Sequence, residues 1–351
     1  MTTTAVTVVT GFLGSGKTTL IARLLRDPRL VNTAVIVNEF GEVGLDHALV
    51  ESVQGEVVLL AQGCLCCTLN GDLANTLEGL DTKRTNGAVP DFDRVIVETT
   101  GLADPAPVLQ TILDRAALLR GYRLGAVLTT VDAVTGNYTL DHHVEALRQV
   151  AIADHLLLTK TDLSDFEQVE TLSRRLALLN PRALIQPVIQ GSVDPEIIFT
   201  GDEHTAPFGG LVIRLDGLAD ASSQTNGHAH RVATMALQFA EPLPYATLRD
   251  WLAQLVTDHG RHLLRVKGIV AIRGQDRPIA VHGVQHQFHP PQFLAAWPPN
   301  LTQSTLVFIL DGLDPAVITA SVASAGLLSS LAPTSTRERK ETGHDHRPHP
   351  H

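Results

Sequence analysis

One stretch near the start of the chain decides the fold: Thr10-Gly-Phe-Leu-Gly-Ser-Gly-Lys-Thr-Thr19. It follows the apolar run Val6 to Val9 and precedes an amphipathic segment, Thr18 to Leu25. Its glycines, lysine and threonine have the GxxxxGK(S/T) spacing, and this motif is meaningful only between a strand and a helix. The stretch therefore predicts a phosphate-binding loop at the carboxyl end of a first β-strand.

The residue types in this loop suit an anionic ligand. Gly11, Gly14 and Gly16 allow a tight turn that points backbone N–H groups at an anion, and the following helix adds the positive end of its dipole. Lys17 would neutralise the outer phosphates, and the Thr18 hydroxyl is a hard oxygen ligand for Mg²⁺. The alternative, a glycine-rich turn with a chance lysine, is disfavoured because every fixed position of the motif is filled.

Composition and charge exclude several classes of protein. The chain has 351 residues, of which 44% are hydrophobic, so it can bury a large core and divides into two domains. The net charge of −10 argues against a nucleic-acid partner, because a protein that binds nucleic acid normally has a basic face. The chain has neither a long apolar run nor a signal-peptide pattern. We therefore expect a soluble, cytoplasmic protein with no membrane partner.

Short apolar segments alternate with helical patterns such as Glu167 to Leu179. The segments begin near residues 6, 33, 57, 94, 124, 155 and 183. This alternation predicts an α/β fold with a doubly wound, mostly parallel sheet, which binds its ligands at the carboxyl ends of the strands. The predicted P-loop domain covers residues 1–190, followed by a linker at 191–227 that is rich in Gly, Pro, Ser and Asp.

The remainder of the chain predicts a smaller α+β domain over residues 228–330 and a disordered tail over 331–351. Lys267-Gly268 indicates a bulge or turn inside a strand of this second domain. The tail contains His344, His346, His349 and His351, and such an imidazole tract can collect Zn²⁺, Co²⁺ or Ni²⁺. A cloning tag is the competing explanation, and the intervening Asp, Arg and Pro residues disfavour it.

A loop with ligand-type oxygens follows the second predicted strand. Asn38 to Asp46 contains Glu39 and Glu42 together with two glycines. In nucleotide switches, a segment at this position senses the γ-phosphate and its Mg²⁺. An ordinary solvated acidic loop is the alternative interpretation.

All three cysteines of the chain lie in one motif, Cys64-Leu-Cys66-Cys67. An odd number of clustered cysteines cannot form a disulfide framework, and it indicates a thiolate ligand set in a reducing compartment. Thiolates select Zn²⁺ or Cu⁺ over Mg²⁺. Three sulfurs leave one tetrahedral position open, which suits an ion that is handed on. The alternative is a set of small buried hydrophobic residues.

Two further strand ends carry nucleotide-site signals. Glu98 ends one strand and could orient Mg²⁺ or water, while Gly101 could meet the γ-phosphate through its N–H. The segment Thr159-Lys-Thr-Asp162 ends another strand. The Asp162 carboxylate could accept two hydrogen bonds from guanine, and the Lys160 stem could lie over the base. The usual first residue of this motif is Asn, whereas this chain has Thr159.

Together these motifs resemble the CobW family of P-loop GTPases, which includes cobalamin-biosynthesis proteins and zinc metallochaperones. The matching segments are GFLGSGKTT at 11–19, NEFGEVGLD at 38–46, GCLCC at 63–67, ETTGLADP at 98–105 and TKTD at 159–162. The resemblance extends to about residue 330. The linker histidine run of the family is reduced here to His228 and His230.

The resemblance implies GTP hydrolysis coupled to delivery of a transition metal, usually zinc, to a client metalloprotein. By position, Gly14, Ser15, Gly16, Lys17, Thr18 and Thr19 would hold the phosphates of GTP or GDP, with Thr18 on Mg²⁺. Cys64, Cys66 and Cys67 would bind Zn²⁺ or Co²⁺, with Glu39 or Glu42 as further ligands, and Lys160 and Asp162 would recognise guanine. The resemblance is compatible with a homodimer and does not require one.

Two other functions compete with this one. A P-loop kinase acting on a small metabolite would need an acceptor pocket and an arginine-rich lid, and it gives the cysteines no role. A metal buffer or sensor would use the nucleotide only as a regulator. Tight metal binding that ignores GTP, without release of phosphate, would favour the buffer or sensor.

Overall fold

The computed structural model describes residues 4–37, 58–61, 71–113, 121–199, 232–288, 291–298, 303–327 and 330–331. Within them, the first unit is a seven-stranded sheet with helices on both faces. Its strands are β1 (Thr4–Gly11), β2 (Thr33–Val37), β3 (Val58–Ala61), β4 (Arg94–Glu98), β5 (Tyr122–Asp132), β6 (His155–Thr159) and β7 (Leu184–Val188). Its helices are α1 (Lys17–Leu24), α2 (Gly71–Thr85), α3 (Ala106–Leu113), α4 (Gly136–His142), α5 (Val144–Ile152), α6 (Phe166–Leu179) and α7 (Glu196–Phe199).

The strand order of the first sheet is β3-β2-β4-β1-β5-β6-β7, and every pairing in it is parallel. The prediction of a doubly wound parallel sheet is therefore confirmed. β1 lies where the order reverses, with β4 on one side and β5 on the other. In such sheets the ligand crevice lies outside the carboxyl ends of the strands at this reversal.

The central strands are apolar because both of their faces are buried. Val6 and Val8 belong to a core cluster with residues of α2 and α3, such as Leu77 and Leu109. Val9 belongs to a second cluster that contains four apolar residues of α1 and its last turn, namely Leu20, Ile21, Leu24 and Leu25. The helix that follows the P-loop is thus packed onto the sheet, which holds the loop in place.

The second unit is an antiparallel sheet of order β11-β10-β9-β13-β8, with β12 paired to β10. The strands are β8 (Val232–Phe239), β9 (Leu263–Val270), β10 (Ile279–Val284), β11 (Gln287–Phe288), β12 (Gln292–Phe293) and β13 (Ser304–Asp311). Two helices, α8 (Tyr245–His259) and α9 (Pro315–Ser324), contribute Trp251, Leu252, Ile318 and Val322 to its core.

The prediction of a bulge or turn at Lys267-Gly268 is wrong. β9 is continuous there, because Gly268 pairs with Val281 on one side and Leu306 on the other. Close packing explains why this residue is glycine, because a Cβ at this position would clash with the carbonyl oxygen of Thr305. The register shift of this sheet occurs instead between Ile309 and Leu310 of β13.

The two units are joined by a buried ionic cluster. The Asp154 carboxylate accepts hydrogen bonds from Arg265 Nη2 at 2.9 Å and Lys267 Nζ at 2.8 Å, both on β9. Burial alone would raise the pKa of Asp154, but the charges of Arg265 and Lys267 outweigh it and hold this pKa below its ordinary value. Thr234 on β8 also donates to the carbonyl of Leu179, at 2.8 Å.

Most of the predicted linker (191–227) and nearly all of the predicted tail (331–351) lie outside the described residues. The domain boundaries therefore stay predictions, as does metal capture by the tail histidines. Among the described residues, no helix has the length and apolar character required to cross a membrane.

Candidate functional site

The P-loop has the backbone that its sequence predicts. Gly11, Gly14 and Gly16 have positive φ angles of 141°, 69° and 94°. Gly16 is the N-cap of α1, so the loop runs directly into the helix N-terminus. The loop therefore combines a tight turn with the positive end of a helix dipole, which is the arrangement that binds phosphate.

Two side chains of the loop meet polar groups nearby. The Thr18 hydroxyl donates to Glu98 Oε1 at 2.9 Å, although 80 residues separate them in the chain. Lys17 is buried, and its Nζ donates to the Phe12 carbonyl at 3.3 Å. The fold thus brings the candidate Mg²⁺ ligand Thr18 and the candidate acid Glu98 into direct contact. Thr19, by contrast, is exposed at the start of α1.

Gly101 packs closely against the P-loop at Leu13. A Cβ on Gly101 would lie 2.7 Å from the backbone nitrogen of Leu13 and 2.8 Å from its Cα. Only glycine fits at such a distance from a backbone that cannot easily move. The sequence predicted a γ-phosphate contact for Gly101, and the structure brings this residue into contact with the P-loop.

The predicted base-recognition residues lie beside the loop at the end of β6. Lys160 has a left-handed backbone (φ 57°), and its Nζ donates to Asp132 Oδ2 at 2.6 Å. Asp162 is exposed, so its carboxylate is accessible to a ligand. Thr159, which replaces the usual Asn, donates through Oγ1 to the Ser15 carbonyl at 2.8 Å. It therefore connects the predicted base-recognition segment to the P-loop.

The threonines at the strand ends have a role that was not predicted from the sequence. Thr99 Oγ1 donates to Thr10 Oγ1 at 2.7 Å, and the hydroxyls of Thr130 and Ser15 are 2.7 Å apart. With Thr159, these residues connect four neighbouring strands beneath the phosphate loop. A recurrent threonine at the carboxyl ends of successive apolar runs is the sequence signal that could have revealed them.

Gln149, on helix α5, is a second residue that the sequence did not single out. It is buried, and its Nε2 donates at 3.1 Å to the carbonyl oxygens of both Gly101 and Ala103. Its Oε1 has no hydrogen-bond partner in the described part of the chain. A cavity of about 20 Å³, lined in part by Gln149, Ser15 and Thr130, lies behind the P-loop and has room for one water molecule.

The carboxyl ends of four strands are aligned at this edge of the sheet. Val9 is in register with Glu98, Glu98 with Val37, and Val37 with Ala61. Val37 directly precedes the acidic segment that begins at Asn38, and Ala61 precedes Cys64 by three residues. Two strand spacings, about 10 Å, separate Ala61 from Glu98. The strands that precede both predicted metal segments therefore end at the edge of the sheet that carries the P-loop.

The candidate transition-metal ligands Glu39, Glu42, Cys64, Cys66 and Cys67 lie outside the described residues. Within the described ranges, no group of three or more His, Cys, Asp or Glu side chains is placed to hold a metal ion. The metal-ligand predictions for these five residues consequently stay predictions.

Comparison with known proteins agrees with this geometry. Residues 5–187 match the family model described as the CobW/HypB/UreG nucleotide-binding domain. Residues 232–325 match the model described as the cobalamin synthesis protein CobW C-terminal domain.

Individual relatives match over most of their length. A zinc chaperone of Escherichia coli K12, YjiA, is 32% identical over 313 residues, which cover 87% of this chain and 93% of that protein. A zinc chaperone CobW of Pseudomonas aeruginosa is 32% identical, with 91% of each chain covered. The crystal structure of the Zn(II)-bound YjiA GTPase from E. coli superposes with a TM-score of 0.70 and 29% identity, covering 93% of this chain and 99% of that one.

Proposed function

Because the chain belongs to the CobW/HypB/UreG family, we propose that it is a GTP-hydrolysing zinc chaperone that transfers its metal to a client metalloprotein. Relatives that match nearly the whole chain are named zinc chaperones, and a structural neighbour is named a Zn(II)-bound GTPase. The proposal names neither the client metalloprotein nor the oligomeric state, and a homodimer is compatible with it. A cytoplasmic site of action belongs to it too, since a thiolate cluster requires reducing conditions.

One observation carries the proposal. The register of β1, β4, β2 and β3 aligns the start of the P-loop, Glu98, Val37 and Ala61 along a single edge. The cysteine motif and the acidic segment thus follow strand ends that are neighbours of the phosphate site. Metal and nucleotide bound at neighbouring strand ends can influence each other's affinity through short segments of chain.

The described residues support the nucleotide half of the cycle. The N–H groups of residues 14–19 and the buried Lys17 ammonium would hold the phosphates. Asp162 would accept from the N1–H and 2-amino groups of guanine, and the Lys160 stem would cover the base. Selectivity for GTP follows because adenine would leave the carboxylate without its two donors.

Mg²⁺ fits the donor set beside the phosphates. Thr18 Oγ1 and Glu98 Oε1 are hard oxygen donors 2.9 Å apart, the ligand type that Mg²⁺ prefers. Bound there, Mg²⁺ would neutralise charge on the phosphate oxygens. Thr18 would then release its hydrogen bond to Glu98, which would allow that carboxylate to orient water. Hydrolysis would be slow without a partner, because the P-loop segment 10–19 supplies Lys17 as its cation and contains no arginine.

The metal is the cargo of this cycle. Cys64, Cys66 and Cys67 would bind Zn²⁺, or Co²⁺, as thiolates, with Glu39 or Glu42 as an exchangeable fourth ligand. GTP would order the segment that contains the two glutamates, and hydrolysis would relax it and change the affinity for the metal. By linkage, the metal must alter the affinity for nucleotide by the same factor.

The test is a metal titration in three nucleotide states. Zn²⁺ and Co²⁺ affinities are measured without nucleotide, with GDP and with a non-hydrolysable GTP analogue. A background in which His344, His346, His349 and His351 are replaced by alanine removes any contribution from the tail. We expect affinities that differ at least about fivefold between the GDP and GTP states in this background, and loss of the high-affinity site in Cys66→Ala.

Three results would contradict the proposal in different ways. Equal metal affinity in all three nucleotide states would refute the coupling. Tight metal binding without any phosphate release would favour a buffer or sensor. A phosphorylated small molecule in place of free phosphate would establish a kinase.

A further inference from the structure

Two consecutive residues of α5, Arg148 and Gln149, donate hydrogen bonds to the loop that follows β4. Gln149 binds the carbonyls of Gly101 and Ala103, and Arg148 Nη1 donates to Asp104 Oδ2 at 3.1 Å. The other oxygen of Asp104 accepts from the backbone N–H of Ala106 at the start of α3. The Gly101 loop, defined here as residues 99–105, therefore lies between the P-loop and α5.

Arg148 has a second carboxylate partner, on the other unit. Its Nε and Nη2 donate to Asp311 Oδ2 at 3.2 and 2.9 Å, and Asp311 is the last residue of β13. The carbonyl of Asp311 accepts from His262 Nδ1 at 2.7 Å, which fixes the end of this strand. One guanidinium thus joins the Gly101 loop to the second sheet. A lysine presents its donors from a single nitrogen, so it cannot reproduce contacts made from three separate nitrogens of a planar guanidinium.

The surrounding contacts keep α5 fixed against the second sheet. Ala151 of α5 shares a buried cluster with Leu264 of β9 and Ile309 of β13. Asp154, two residues after the end of the helix, is bound by Arg265 and Lys267 of β9. Because the helix cannot move independently of the sheet, a displacement of Asp104 must either break its contact with Arg148 or shift the second unit.

We infer that Arg148 is a positioning residue that makes the nucleotide response of the Gly101 loop depend on the second sheet, through Asp104 on one side and Asp311 on the other. The inference rests on the proposed function, in which Gly101 contacts the γ-phosphate. Arg148 binds Asp311 with two of its guanidinium nitrogens and Asp104 of the Gly101 loop with the third. The shared guanidinium is therefore a direct route by which Asp311 can act on nucleotide discrimination.

The experiment compares the affinities for GDP and a non-hydrolysable GTP analogue in Mg²⁺, using the full chain. The variants are Asp311→Ala, Asp104→Asn and their combination, with Arg148→Met as an independent way to remove the double contact. We expect each to change the ratio of the two affinities about tenfold, a typical coupling between sites. The double variant should match the single ones, because both substitutions interrupt one path.

Thr234→Val is the matched control, since it removes a hydrogen bond between the two units that does not involve the Gly101 loop. Its affinity ratio should equal that of the wild type. An unchanged ratio in Asp311→Ala overturns the inference, as does an equal change in Thr234→Val. A wild type that binds GDP and the analogue with equal affinity would overturn the proposed function together with the inference. A wild type that discriminates between them, beside an Asp311 variant with the same ratio, would overturn the inference alone.

A second readout separates positioning from simple loss of stability. Amide hydrogen exchange is measured over residues 303–327 with GDP and with the GTP analogue. We expect nucleotide-dependent exchange in this segment of the wild type and of Thr234→Val, and none in Asp311→Ala. Nucleotide-dependent exchange that persists in Asp311→Ala would show that Arg148 does not connect the two regions.

Discussion

Replacing Asp154 with asparagine tests the ionic cluster between the two units. The substituted side chain could keep one hydrogen bond, because its carbonyl oxygen can still accept from the Val127 N–H, now at 2.9 Å. Its amide group, however, would face Arg265 Nη2 and Lys267 Nζ, which are 2.9 and 2.8 Å from the present carboxylate oxygen. The substitution therefore leaves two buried cations facing a donor.

The magnitude follows from the burial of these groups. The side chains of Asp154, Arg265 and Lys267 are 8%, 6% and 11% exposed, so water screens them little. Removing one partner from a buried ionic cluster costs about 3–5 kcal/mol of unfolding free energy. The matched control is Asp250→Asn, in which the aspartate and its partner Arg249 are 66% and 61% exposed. We expect the control to cost less than about 0.5 kcal/mol.

The assay is guanidinium chloride unfolding, followed by tryptophan fluorescence and circular dichroism. A rescue variant adds Arg265→Met and Lys267→Met to Asp154→Asn. Because apolar residues of similar volume often replace buried ion clusters without loss, this variant should recover most of the lost stability. The reasoning is refuted if Asp154→Asn costs no more than Asp250→Asn, or if the rescue variant is no more stable than Asp154→Asn.

Three further predictions concern other parts of the chain. Gly101→Ala should lower the rate of GTP hydrolysis at least about tenfold, because its Cβ would displace the Leu13 backbone. Gly79→Ala is the control, since nothing lies within 4 Å of the Cβ that it adds, and it should leave the rate unchanged. Asp162→Ala should reduce the preference for GTP over ATP at least about 100-fold, measured by competition binding. His155 is buried, which lowers its pKa. Unfolding free energy should therefore fall as pH decreases below about 6.5, by at most about 1.4 kcal/mol per pH unit, and His155→Gln should reduce this slope.

The sign of the pH effect follows from proton linkage. Below about pH 6.5 the unfolded chain protonates His155 while the folded chain does not, so protons favour the unfolded state until the lowered folded pKa is reached. An identical slope in wild type and His155→Gln would contradict this account. Equal rates in Gly101→Ala and the wild type, or an unchanged base preference in Asp162→Ala, would contradict the other two predictions.

Much of the fold could be predicted because its signals are local. Short apolar strands, glycines at fixed positions and helical periodicity all act within short windows of sequence. They located β1, the P-loop and the strand ends that carry Glu98 and Lys160. The one local signal that misled was Gly268, because a glycine required by close packing looks the same in sequence as a glycine at a bulge.

By itself, the sequence predicted which groups of this protein bind a triphosphate, a guanine base and a soft metal ion, because residue type and spacing indicate that chemistry. Only the tertiary structure decided which distant groups meet. Thr18 contacts Glu98 across 80 residues, Thr159 contacts Ser15 across 144, and Arg148 contacts Asp311 across 163. Such contacts depend on strand order, register and the packing of the two units. These are properties of the whole chain, and no short segment encodes them.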